Sequence, residues 1–216
     1  MMDLVVNTYT RIADLGGPVV VLLCALSVVV LAVVLYKLWQ FASAGVGRHR
    51  ELGAAVAAWD QGDCTAARAH LGRSRSYLAP VVDMAMTGQT DGARLEAEAE
   101  TRFARLERGF RLLDSVAQLA PLLGLFGTVL GMISAFQALQ EAGSQVDPSI
   151  LAGGIWVALL TTAVGLAVAM PTSVVLSWFE ARMDKERVLA GQALRAVLSP
   201  SGQRVAADVP TGAVHA

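Results

Sequence analysis

The chain has 216 residues, a formal net charge of −1, 55% hydrophobic residues and only 16% charged ones. That balance excludes an ordinary soluble domain, and a charge so near zero gives no reason to expect a nucleic-acid partner. The three histidines, His49, His70 and His215, show no ligand spacing, and the two cysteines, Cys24 in the first apolar run and Cys64 in the following loop, read as unpaired packing residues, so neither a metal nor a cofactor is expected.

Residues 1–15 form a short N-terminal segment that carries one basic residue, Arg11. The first apolar run, Gly16 to Tyr36, lies in a helix read over 16–41. A bilayer core of roughly 30 Å takes about 20 apolar helical residues to cross, and this run meets that length. Ala42-Ser43-Ala44 resembles a signal cleavage site, but the apolar stretch exceeds the roughly 7–15 residues of a signal core. It is therefore read as a retained membrane helix.

A helical loop follows over 42–92, with breaks at Gly62-Asp63, Gly72 and Ala79-Pro80 and a helix–turn–helix passage across Ala57 to Asp63. Thr90 or Asp91 is the expected N-cap of the next element. That element is read as one long helix over 93–140, with the second apolar run at Val116 to Leu139 inside it and neither Gly109 nor Pro121 breaking it. Arg94 with Glu98, Glu98 with Arg102, and Glu107 with Arg111 are four apart along it, a spacing that supports weak helical pairs. After a short turn over 141–149 comes a second long helix, 150–198, whose apolar part is Ile150 to Phe179. Its charged end, 180–198, reads as a solvated, ion-paired face, and 199–216 as a disordered tail.

None of the three apolar runs contains Asp, Glu, Lys, Arg or His. Basic residues crowd the loop between runs one and two and the segment after run three, while the turn between runs two and three has none. Lys and Arg are retained on the cytoplasmic side, so the N-terminus and the 141–149 turn are placed outside, the loop and tail inside. Tyr36, Trp39, Phe41, Trp178 and Phe179 are expected to anchor the inner bilayer edge. The fold class is thus all-α: an integral membrane protein with three transmembrane helices, the second and third extending into the cytoplasm, and a small helical cytoplasmic layer.

Within the spans, small residues recur at steps of three and four. Gly124, Thr128, Gly131, Ala135 and Ala138 form such a stripe in the second, and Gly154, Ala158, Thr162, Gly165, Ala169 and Ser173 in the third. Gly127 and Gly131 add a Gly-x-x-x-Gly pair. Small stripes let helix backbones approach, and a hydroxyl on each stripe, Thr128 and Thr162, offers two groups for lining a hydrated seam. A threonine also satisfies itself on its own helix, so the stripes alone are equally read as plain helix packing.

The string Leu119-Ala-Pro-Leu-Leu-Gly-Leu-Phe-Gly-Thr-Val-Leu-Gly-Met132, followed by Gly154-Ile-Trp-Val-Ala-Leu-Leu-Thr-Thr-Ala-Val-Gly-Leu-Ala-Val-Ala-Met-Pro171, resembles the two signatures of the MotA/TolQ/ExbB proton-channel family, nearest its ExbB and TolQ members. The resemblance covers roughly residues 95 to 180 by motif and the first span by topology. It implies a subunit of an inner-membrane motor driven by the proton-motive force. Relatives assemble as a ring, typically pentameric, around a single-span ExbD- or TolR-like partner whose intramembrane Asp carries the proton, and act on a TonB- or TolA-like protein. It also implies that Thr128 and Thr162 face the proton path, with Gly124, Gly127, Gly131, Ala158 and Gly165 on the packing or pore-facing stripe. Many ExbB and TolQ members carry a glutamate where this chain has Val157.

The charge pattern adds an independent argument. Ionisable groups in a membrane are costly and mark ion pathways, and these spans contain none, so a conducting protein of this kind draws its titrating group from another polypeptide. Asp114, at the inner edge of the second span, is the nearest acid within the chain and a candidate cytoplasmic exit; its plainer reading is a solvated residue or a partner of Arg111. No nucleophile with a base, ligand cluster or phosphate loop points to an enzyme. An ExbB-like channel subunit is the leading expectation, with a TolQ-like subunit or a non-conducting scaffold as alternatives.

Overall fold

The computed structural model describes residues 2–88, 91–141 and 148–200, with side chains described from residue 17 onward, Ile150 excepted. Seven helices occupy these residues: α1 (Met2–Ala44), α2 (Arg50–Asp60), α3 (Cys64–Arg73), α4 (Ala79–Met86), α5 (Gly92–Glu107), α6 (Phe110–Glu141) and α7 (Pro148–Leu198). The centre of the expected 141–149 turn and nearly all of the 199–216 tail lie outside the described residues.

Helices α1, α6 and α7 are each long and apolar enough to cross a membrane. α6 alone, with 32 residues, is about 48 Å long at 1.5 Å per residue. The chain divides into two compact units, the first made of Met1–Tyr36 and Gly109–Phe179, the second of Lys37–Arg108 and Glu180–Ala216.

The first unit contains the apolar stretches of α1, α6 and α7. Gly17 (φ 69°, ψ −174°) kinks α1 just before Pro18, a conformation that glycine adopts without a Cβ penalty. Pro121 and Pro171 sit inside α6 and α7, which continue through them. Large apolar side chains remain exposed on every span, among them Leu31, Leu125, Phe126, Leu159 and Val174; such surface belongs against lipid or another apolar protein surface.

The second unit is a small helical layer with its own core. α5 buries Leu95, Ala99, Phe103 and Leu106 at helical spacing, α4 buries Val81, Val82, Ala85 and Met86, and the end of α7 adds Met183, Ala190, Ala193, Leu194 and Val197. Asp63 caps α3 by accepting from the Thr65 and Ala66 N–H groups at 3.1 and 2.9 Å, which turns the Gly62-Asp63 break into a helix start. Asp91 stands at the N-cap of α5 without a side-chain cap bond, and Thr90 lies outside the described residues.

The single helix expected over 93–140 is two. α5 ends at Glu107, Arg108 turns extended (ψ 120°) and Gly109 takes φ 101°. Glycine tolerates that backbone where other residues are strained, and α6 begins its own ladder with Leu112 and Leu113 N–H donating to Gly109 O. The Lys37 ammonium, 1% exposed, donates to Leu106 O at 2.9 Å, satisfying a carbonyl in the last turn of α5 with a cation. The break also removes the Glu107–Arg111 pair: Glu107 accepts from Arg187 at 2.7 Å instead. Of the other expected helix pairs, Glu98 is bonded to Arg102 at 2.9 Å.

Two further expectations are corrected. Phe41 and Phe179 are buried, Phe179 stacking on Phe110 at 5.6 Å, so only Tyr36, Trp39 and Trp178 of the five aromatics stand exposed. The 180–198 segment is not a wholly solvated face, because Glu186 is 3% exposed. Its carboxylate meets His49 Nε2 at 2.6 Å, accepts from the Tyr77 hydroxyl at 2.9 Å and lies 3.8 Å from Arg182. His49 Nδ1 is 3.0 Å from Ser76 Oγ. This cluster ties the α1–α2 turn, the segment before α4 and the end of α7 together.

Burial acting alone raises the Glu186 carboxyl, but hydrogen bonds from His49 and Tyr77 and the charges of His49 and Arg182 outweigh it and hold the group below the usual carboxylate value of 4.5. A depressed carboxylate contributes stability that is present above its unfolded value and lost as pH falls through its folded one. Glu186→Gln is therefore expected to destabilise the protein by about 2 kcal/mol at neutral pH, with the gap to wild type narrowing below pH 4.5. Thermal unfolding in detergent at pH 7 and pH 4 measures both; a gap that stays constant across that range would contradict the assignment.

Candidate functional site

The antiparallel seam between α6 and α7 is built from residues without bulk. A Cβ placed on Gly165 meets Ala120 O at 2.6 Å and Gly124 Cα at 3.1 Å; one on Gly124 meets Thr161 O and Thr162 Cα at 3.0 Å. Further along, Gly127 faces the Thr161 side chain, Gly131 faces Ala158 at 3.2 Å, and Gly154 abuts Ala135. Moving up α6 from Ala120 to Ala135, the facing residue moves down α7 from Gly165 to Gly154, the close antiparallel approach that small residues allow.

All five small residues expected at the stripe, Gly124, Gly127, Gly131, Ala158 and Gly165, lie in this seam. The two threonines behave differently from one another. Thr128 is half-buried, and its hydroxyl donates to Leu125 O on its own helix at 2.6 Å. Thr162, also half-buried, donates across the seam to Gly124 O at 3.3 Å. The structure therefore does not join Thr128 to Thr162 directly; it joins Thr162 to the residue one turn before Thr128.

Sequence reasoning passed over Thr161. This side chain is 1% exposed, the most deeply buried hydroxyl of the described spans, and donates to Ala158 O at 2.7 Å and Gly124 O at 3.2 Å. The signal was available, since Gly154, Ala158, Thr161 and Gly165 follow a four–three–four spacing at least as regular as the one through Thr162. In α6 the same shift applies: the buried line is Ala120, Gly124, Gly127 and Ala135, with Thr128 beside it.

Val157 is half-buried and stands one turn from Thr161. Both line an open cleft of about 220 Å³ together with Pro18, Gly127, Gly131 and Ser134. Its walls are mostly apolar, with Ser134 and Thr161 as the hydroxyl-bearing residues and no titratable side chain. Asp114 is exposed and accepts from Gln118 Nε2 at 2.7 Å rather than pairing with Arg111.

Three membrane-length helices, two of them joined along a glycine and threonine seam, define a helical membrane protein with a polar line inside its packing interface. Residues 72–190 match the model of the MotA/TolQ/ExbB proton channel family. An ExbB-like biopolymer transport protein of Synechocystis is 43% identical over 103 residues, 47% of this chain and 41% of that protein. A biopolymer transport protein ExbB homolog of Methanothermobacter thermautotrophicus is 28% identical over 86% of this chain and 68% of its own. Biopolymer transport protein exbB1 of Vibrio cholerae is 31% identical over 68% of this chain and 67% of its own. The chain belongs to the MotA/TolQ/ExbB proton channel family. It spans about two-fifths of the Synechocystis relative and about two-thirds of the other two.

The seam predicts an order of glycine substitutions. Gly165→Ala drives a methyl into the α6 backbone, which has no side chain to move aside, and is expected to cost about 1–3 kcal/mol. Gly131→Ala meets Ala158 at 3.2–3.3 Å, tighter than ordinary contact but less severe than at Gly165, and Gly153→Ala meets nothing within 4 Å. Thermal unfolding in detergent should rank Gly165→Ala as clearly the most damaging and Gly153→Ala as silent; equal effects would contradict the close approach.

Proposed function

We propose that this chain is the channel-forming stator subunit of an ExbB-like motor that uses the proton-motive force across a bacterial inner membrane. The observation that carries the proposal is the combination at the α6–α7 seam: hydroxyls at Thr128, Thr161 and Thr162 in spans that contain no ionisable residue. A proton crossing hydrocarbon needs a titrating group, so the working unit includes a partner. The partner that fits is an ExbD- or TolR-like single-span protein with an intramembrane Asp, and Thr128 and Thr162 are assigned to face its path.

The exposed apolar faces of α6 and α7 support a homo-oligomer, proposed as a pentamer, in which some of that surface meets neighbouring copies and the rest meets lipid. The distribution of Lys and Arg supports a periplasmic N-terminus and a cytoplasmic second unit and C-terminus. The output is proposed to be energised transport through a TonB-like protein, and the chain itself is not an enzyme. A TolQ-like role in envelope maintenance uses the same channel chemistry with a TolA-like protein in place of the TonB-like one.

Purification from the native membrane in mild detergent, with mass spectrometry of what copurifies, tests the partner. A stoichiometric small protein whose one membrane helix carries an Asp is the expected result; an oligomer of this chain alone would replace the channel reading with a scaffold. In liposomes holding the purified complex under an imposed potential, Thr128→Val and Thr162→Val are expected to lower proton flux at least tenfold, while Asp114→Asn leaves it at the wild-type value. A scaffold whose threonines only pack predicts that both valine variants are silent, because valine keeps nearly the same volume.

A further inference from the structure

Thr161 and Thr162 place two hydroxyls against one acceptor, the carbonyl of Gly124, at 3.2 and 3.3 Å. In an α-helix that carbonyl is also the acceptor for the N–H four residues on, which here belongs to Thr128. The residue holding the carbonyl from the facing helix therefore bears on the turn that carries the Thr128 hydroxyl.

Of the two, Thr161 is the better placed to fix that turn. It is 1% exposed against a half-buried Thr162, and its hydroxyl is anchored a second time at Ala158 O, 2.7 Å away. Its Cβ, Oγ1 and Cγ2 occupy the space over Gly127, where a Cβ would lie 2.6–2.9 Å from them. A hydroxyl has one proton to donate, so the two bonds are shares of one donor stretched between α7 and the α6 backbone. The one proton of this hydroxyl is thus taken up by helix carbonyls, and the residue is almost fully enclosed, whereas Thr162 retains partial exposure.

We propose that Thr161 is a positioning residue for proton transfer: it holds the Gly124–Thr128 turn of α6 in the orientation that presents Thr128 to the path, and does not itself touch the proton. The inference rests on the channel reading above and adds a residue with a different role from Thr128 and Thr162.

Three variants of the full chain, purified with whatever partner accompanies it, separate the hydroxyl from the methyl. Thr161→Val keeps the volume and removes the donor; Thr161→Ser keeps the donor and removes a methyl. The first readout is hydrogen exchange at the Gly124–Thr128 segment in detergent, and the second is proton flux in liposomes. Thr161→Val is expected to speed exchange roughly threefold to tenfold, the range that corresponds to losing one interhelical hydrogen bond in a membrane protein, and to lower flux, while Thr161→Ser stays near wild type in both. A Thr161→Val variant with unchanged exchange, or a Thr161→Ser variant as impaired as Thr161→Val, would show that Thr161 acts by packing and would overturn the proposal. The third variant, Thr162→Val, reports on the channel reading itself: if it and Thr128→Val conduct normally, that reading fails, whereas the exchange measurement still decides whether the Thr161 hydroxyl holds the turn.

Discussion

The contact on which the first unit depends is the approach of α6 to α7 at Gly124 and Gly165, where a single added Cβ would strike backbone. Lipid is as apolar as leucine, so burying apolar surface between two membrane helices gains little, and association must come from close packing and hydrogen bonds. Only glycine and alanine allow backbones near enough for a threonine hydroxyl on α7 to reach a carbonyl of α6. The glycines thus do more than fill the interface. They bring hydroxyls and carbonyls within bonding distance inside a layer that otherwise offers none, and the polar line exists because the packing line is so thin.

The second unit is held by a different balance. Its helices are short and amphipathic, and their apolar faces meet as in a soluble domain, with Phe103, Leu95 and Met183 almost fully enclosed. Short helices of 8–11 residues such as α2, α3 and α4 are marginal by themselves in water and draw their stability from that packing. Into it is set, besides the Lys37 ammonium, the carboxylate of Glu186, which burial would penalise heavily if it stood alone. It is tolerated because His49, Tyr77 and Arg182 surround it, and the same bonds fix the turn after α1. Arg187 does comparable work beside it, pairing with Glu107 at 2.7 Å and lying 5.4 Å from the Phe103 ring centre.

What the sequence made legible follows from how local each signal is. A run of twenty apolar residues announces a membrane helix without help from any other part of the chain, and the Gly62-Asp63 pair ends one helix and caps the next within four residues. Small residues at three–four spacing likewise revealed which faces of α6 and α7 pack. The choice between Thr161 and Thr162 was not legible, because adjacent positions on a helix differ by only about 100° and both fall within a broad small-residue face; the facing helix decides, through Gly127. The break at Gly109 was missed for a related reason. A single glycine in a helix costs only about 1 kcal/mol, and the tipping weight, Lys37 donating to Leu106 O, comes from 69 residues away. Phe41 and Phe179 were misplaced because an aromatic at a span's edge suits an interface and a core equally, and only the partner, Phe110 in the second case, distinguishes them.

Val157 brings these strands to bear on the chemistry. The position lies in the cleft with Thr161, Ser134 and the glycines of α6, close to the polar line but contributing nothing titratable to it. A carboxylate there would need a partner charge or several hydrogen-bond donors to be accommodated at that depth, and the hydroxyls of Thr161 and Thr128 are already committed to Ala158, Gly124 and Leu125 carbonyls. The packing that gives Thr161 its burial is therefore compatible with an apolar neighbour one turn away and poorly suited to an acidic one. In this chain the seam is built to bring hydroxyls against carbonyls, and the cleft beside it holds no titratable side chain.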